Sequence, residues 1–170
     1  MKKTFLISLC LLYLLTLTSC TSSPPSTPVE PVKKSEFLLG TICEITIYDK
    51  ADEKVFDEVF SRIADIEKKM TINNADTSQI IKLNEASGKE SVKVSPDTFF
   101  VLEKGLYYST LSDGAFDITV GPLVKQWNIG TDYAAVPDAD ELKQAMSVID
   151  YKKLDLDKNN LSAKLQQKDM

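Results

Sequence analysis

Apolar and polar positions change period several times along this chain, and each change marks an element. From Phe37 to Tyr48 the period is two. Cys43, Ile45 and Ile47 alternate with Glu44, Thr46 and Tyr48, which predicts a strand. Gly40-Thr41 interrupts it early, the mark of a bulge or a close backbone approach. From Asp52 to Met70 the period becomes helical. Phe56, Val59, Phe60, Ile63, Ile66 and Met70 fall on one face, and Asp52 is placed to cap the first turn. Thr71–Thr77 is a polar loop. Ser78 then caps a short helix through Leu83, closed near Ser87-Gly88. Val92-Lys93-Val94 reads as a short strand. Ser95-Pro96 pairs a capping hydroxyl with a proline at the first helical position. That helix runs through Phe100, Leu102, Leu106 and Ser109 to a stop at Asp113-Gly114. Pro122 opens another helix through Trp127, and Asp138 caps one ending near Ser147. Leu154–Asp157 and Leu161–Leu165 read as two strands joined at Asn159-Asn160. Helices and strands are interspersed, so the fold class is mixed α/β, of the α+β kind.

The first residues carry a different pattern. Lys2 and Lys3 precede an apolar run from Phe5 to Leu17, too short for a convincing membrane span. Leu17-Thr18-Ser19-Cys20 looks like a lipobox, with small residues before a cysteine that takes the lipid. An ordinary secretory signal with a chance cysteine is the alternative. Residues 1–19 are thus expected to be a lipoprotein signal peptide, and Cys20 the lipidated residue. Residues 20–34, rich in Ser, Thr and Pro, are expected to be an aperiodic tether. Residues 35–170 are expected to hold the folded part. Cys10 leaves with the signal. If Cys20 is acylated, Cys43 has no partner, so no disulfide is expected. Cys43 reads as a small buried hydrophobe.

The full sequence has 20 Lys and Arg, 25 Asp and Glu, and no His. Loss of Lys2 and Lys3 with the signal leaves 18 basic against 25 acidic residues, a net charge of −7. An acidic chain without a basic patch argues against nucleic acid and against an electrostatic membrane-binding surface. The absence of His removes the commonest general base and zinc ligand.

The densest chemistry is Ser112-Asp113-Gly114-Ala115-Phe116-Asp117-Ile118-Thr119-Val120-Gly121-Pro122-Leu123. Asp113 reads as a turn residue before Gly114. Asp117 sits among Ala115, Phe116 and Ile118, so it is partly desolvated and needs hydrogen-bond donors. A ribose hydroxyl, an adenine amine or a backbone amide would serve. Thr119 offers a hydroxyl two residues on. Gly121-Pro122 opens a helix with free amides, which every helix has.

This stretch resembles the SDGAFDITVGPL signature of bacterial FAD:protein FMN transferases, the ApbE-type flavin transferases. Three further segments are similar to that family's pattern: Leu39-Gly40-Thr41; Glu67–Thr71 with Thr77–Ile80 and Leu83-Asn84; and Pro122-Leu123-Val124 with Trp127. Thr71 stands where Ser is commoner, and Gln126 where an apolar residue is usual. Met70, Phe116 and Trp127 also read as core side chains.

The resemblance implies an ApbE-like flavin transferase fold. It implies Mg2+-dependent transfer of FMN from FAD to a threonine hydroxyl of an acceptor protein, with release of AMP. It implies contacts to FAD from Ala115, Phe116 and Asp117, with Leu39 and Asn73 as further contacts. Catalytic residues are not assigned and no metal ligand is named. The resemblance also implies further family elements, Mg2+ ligands among them, beyond Met170. The chain is therefore expected to be a truncated N-terminal portion, inactive alone. The expected partners are FAD, an acceptor flavoprotein of a membrane or extracytoplasmic redox chain, and the membrane through the lipid anchor. The expected place is the bacterial cell envelope, outside the cytoplasm. An FAD-binding or FAD-hydrolysing lipoprotein without transferase activity is the alternative, and an adhesion or scaffold lipoprotein a further one.

Overall fold

The computed structural model describes residues 30–50 and 52–170. The expected signal peptide, Cys10, Cys20 and the tether as far as residue 29 lie outside the described residues. The chain divides into two compact units. Of one, the described residues are 30–33 and 46–50. The other holds 34–45 and 52–170 and carries the elements that matter below.

The strand expected over 37–48 is instead two strands. β1 (Val32–Leu38) and β2 (Thr41–Ile47) form a two-stranded sheet around Leu39-Gly40. Both turn residues have positive φ, 55° and 71°, as a two-residue hairpin turn demands. Gly40 adopts this freely. For Leu39 it costs about 1–2 kcal/mol, offset by the pairing on either side. The break read as a bulge is therefore a chain reversal. β1 also takes up Val32–Lys34, three residues whose composition predicts tether, because strand pairing outweighs local propensity. The Lys34 ammonium lies 5.4 Å from the Phe56 ring centroid and 3.4 Å from Glu53 Oε1. Cys43 is a free, half-buried thiol that donates to Leu38 O at 3.6 Å.

α1 (Glu53–Met70) begins where Asp52 accepts from Lys54 N. Phe56 and Phe60 are buried, Ile63, Ile66 and Met70 are half-buried, and Val59 is exposed. α2 (Gln79–Glu85) is capped by Ser78, which accepts from Ile81 N at 3.1 Å. α3 (Pro96–Leu111) is capped by Ser95, which accepts from Thr98 N. Its inward face is Thr98, Phe99, Leu102 and Ser109. Phe100 is 57% exposed. It shares a face with Tyr107, Tyr108 and Leu111, all exposed. A helix with apolar residues on both sides gives the period no means of choosing the buried one. α4 (Gly121–Lys125) has five residues and no side-chain cap. α5 (Ala139–Met146) has a full capping box from Asp138 and Glu141.

A 3-10 turn at Tyr151–Lys153 leads into β4 (Leu154–Asp157), which pairs antiparallel with β5 (Ser162–Leu165). β3 (Val92–Lys93) pairs on the other side of β5, giving the order β3-β5-β4. Ala163, opposite both Val92 and Leu156, is 1% exposed. Leu83, Leu102, Leu154, Ala163, Leu165 and Met170 form the core under this sheet, with Ile80, Leu106 and Ile118 packed against it.

α1 and α3 are also tied by charge. Arg62 grips Asp97 with both terminal nitrogens, one of them 2.8 Å from Oδ2. Lys69 reaches Asp97 at 3.2 Å and also bonds Asp65. The hydrogen bonds from Arg62, then those from Lys69, hold the Asp97 carboxyl well below its ordinary range.

Candidate functional site

The turn that leaves α3 is held by both backbone and side-chain hydrogen bonds. Asp113 and Gly114 take positive φ, 51° and 82°, and end the helix as their sequence predicts. Gly114 N donates to Ser109 O at 2.9 Å. Phe116 N donates to Ser112 Oγ at 3.0 Å. Ile118 N donates to Ser109 Oγ at 3.1 Å, while that hydroxyl donates back to Gly105 O at 2.9 Å. Gly105 leaves room for Ile118: a Cβ there would lie 2.0 Å from Ile118 Cδ1, so a larger residue would have to displace that side chain.

Asp117 is half-buried, as its apolar neighbours predict, and its donors are within the chain. Oδ1 accepts from Thr119 N and Thr119 Oγ1, each at 2.7 Å. Oδ2 accepts from Tyr151 N at 3.0 Å. Buried Thr119 in turn accepts from Asp150 N at 3.0 Å. Of the donors that the sequence allows for Asp117, the structure supplies backbone amides, plus a hydroxyl from Thr119. Two neighbouring side chains thus fasten the turn to the segment that enters β4.

The inward turn of these polar groups leaves Ala115 and Phe116 outside. Phe116 is 50% exposed, so it is not the core residue its type suggests; Met70 and Trp127 are half-buried. Tyr108, Leu111, Ser112 and Phe116 line an open hollow of about 540 Å³. Tyr108, Leu111 and Ser112 were not among the expected site residues. Their 0, +3, +4 spacing puts them on one face of the helix end, a signal the sequence does carry.

The other expected contacts stand apart in the sequence. Leu39 is exposed at the β1–β2 turn. Asn73 is exposed in the loop after α1, where its N–H donates to Thr71 Oγ1 at 3.1 Å. Among the described residues no hydrogen bond or ion pair links either of them to residues 115–117. Neither does any group of three or more His, Cys, Asp or Glu side chains converge to hold a metal ion among the described residues. Asp117, with its carboxylate committed to three donors, does not supply one. The described residues therefore do not fit a Mg2+ site.

The ApbE family model matches residues 39–170. A FAD:protein FMN transferase of Treponema pallidum is 35% identical over 127 residues, 72% of this chain and 35% of its own length. One of Klebsiella pneumoniae is 33% identical over 136 residues, 80% of this chain and 42% of its own. The flavin transferase ApbE of Vibrio cholerae superposes with a TM-score of 0.73 at 25% identity, over 82% of this chain and 46% of that one. The ApbE protein of Thermotoga maritima superposes with a TM-score of 0.72 at 24% identity, over 80% and 45%. The chain thus spans less than half the length of each of these relatives.

Proposed function

The chain belongs to the ApbE family over residues 39–170, and on that premise we propose that the protein transfers FMN from FAD to a threonine hydroxyl of an acceptor protein. The threonine oxygen bonds to the phosphorus on the FMN side of the pyrophosphate. The bond from that phosphorus to the bridging oxygen breaks, AMP leaves with the electron pair, and the hydroxyl proton is released. A Mg2+ ion belongs to this reading through the family resemblance. The described residues offer it no cage, and no step is assigned to it.

What this chain contributes is one wall of a nucleotide site. The observation that carries the reading is the turn after α3, where polar groups face inward, Ala115 is exposed and Phe116 lines an apolar hollow. Ala115, Phe116 and Asp117 contact the nucleotide, Asp117 also tying the turn to Thr119 and Tyr151, and Leu39 and Asn73 are further contacts. Cys20 anchors the protein outside the cytoplasm, where an acceptor flavoprotein of a redox chain meets it; the lipobox pattern at Leu17–Cys20 supports this.

Incubation of the full-length protein with FAD, Mg2+ and a threonine-containing acceptor peptide tests the activity. AMP together with a flavin-labelled peptide is expected. AMP without label favours an FAD hydrolase, bound FAD without AMP favours a binding lipoprotein, and no flavin binding sinks the reading. For the anchor, mass spectrometry of the mature N-terminus should find a lipidated Cys20, and Cys20→Ser should release the protein from membranes. An unmodified mature N-terminus at another residue would refute it.

A further inference from the structure

We propose that Ser109, which lies outside the signature turn and is fully buried, is a positioning residue that sets how Phe116 meets the nucleotide. The inference rests on the flavin nucleotide reading of this site. Ser109 holds the turn at three points. Its carbonyl accepts from Gly114 N at 2.9 Å and from Ser112 Oγ at 3.3 Å. Its hydroxyl accepts from Ile118 N at 3.1 Å. Ser112, bonded to that same carbonyl, accepts in turn from Phe116 N at 3.0 Å. Residues 114–118 therefore form a bow whose two ends are tied to a single residue, with Phe116 at its crest.

Ser109 is 0% exposed, so it touches no ligand in the hollow. A helix hydroxyl in the interior ordinarily bonds only the carbonyl four residues back. Ser109 does that through Gly105 O at 2.9 Å, and its oxygen also accepts the one bond that closes the bow. Removal of the hydroxyl leaves the Ile118 amide without an acceptor and frees the crest to shift.

The test is a double-mutant cycle in the full chain, with FAD affinity read by flavin fluorescence and the thermal midpoint followed alongside. Ser109→Ala should bind FAD about tenfold more weakly, the scale of one lost buried hydrogen bond. Because it acts through Phe116, the double variant with Phe116→Ala should bind no more weakly than Phe116→Ala alone. Ser109→Cys, similar in size but a weaker acceptor, should fall between parent and Ser109→Ala. Unchanged FAD affinity in Ser109→Ala, or losses that add in the double variant, would overturn the inference. If the parent binds no FAD, the functional reading fails by itself, and amide exchange still judges Ser109. Faster exchange at Ile118 in Ser109→Ala, with Leu102 and Ala163 unchanged, upholds its hold on the turn; unchanged exchange at Ile118 refutes it.

Discussion

Asp97 and Asp117 are aspartates at the two ends of α3, and each fastens that helix to a different part of the chain by different means. Asp97 sits in the first helical turn and faces cations on another helix. Asp117 lies beyond the last turn and accepts from two backbone amides and a hydroxyl. A bond between mobile charged side chains at the surface is screened by salt and loses much of its strength to side-chain entropy. A carboxylate that accepts from fixed amides in a half-buried turn meets neither loss. One end of α3 is thus joined adjustably and the other rigidly, and the rigid end is the one beside the hollow.

The sharpest way to break this contrast is Asp117→Ala. It strands the Tyr151 and Thr119 amides and should cost about 3 kcal/mol of unfolding free energy, measured by denaturant titration and nearly independent of salt. A loss under about 1 kcal/mol would mean that water replaces the carboxylate at little cost and that the rigid end is not rigid. Gly105→Ala comes next. Crowding against Ile118 costs about 1–3 kcal/mol, and the better helix propensity of Ala returns up to about 1. The expected net is a lower thermal midpoint, and a higher one would show that Ile118 swings aside freely. Asp97→Asn should have the smallest effect, and added salt at molar concentration should shrink it further. Its pH signature is directional. The native carboxyl titrates below its ordinary value of 3.8, so its contribution is complete above that value and is lost as the pH falls through and below it. The gap between the parent and Asp97→Asn should therefore narrow steadily as the pH falls below 3.8, and a gap that does not narrow would contradict the assignment.

Local chemistry was legible in the sequence, and pairings between distant residues were not. Asp52, Ser78, Ser95 and Asp138 all cap as read, because a cap bonds amides two or three residues away. The stop at Asp113-Gly114 and the strands at Leu154 and Leu161 are equally local. The hairpin was hidden because leucine is a poor signal for positive φ, which left Gly40 as the lone mark of a reversal. The buried face of α3 was not legible because the helix is apolar on two faces, and only packing selects the one that bears Thr98 and Ser109. At Asp117 the need for partners was readable from its neighbours. Their identity was not, since Tyr151 lies 34 residues further on. Ser109 was read only as a position along the helix, since nothing in its spacing marks a hydroxyl that bonds an amide nine residues further on.

The bonds from Thr119 to Asp150 and from Asp117 to Tyr151 also gather residues 120–149 into a loop closed at its neck. The neck spans separations of 31 and 34 residues. Closing such a loop costs entropy that grows only with the logarithm of its length, about 0.6 kcal/mol for each doubling. With the neck clamped, extra residues near exposed Gly130 should cost little and leave the β3-β5-β4 core intact. This stretch is the place where the chain can change in length and surface while the rest keeps its form. Short glycine-serine insertions there should leave the unfolding midpoint almost unmoved, whereas the same insertions between Asp117 and Thr119 should not be tolerated.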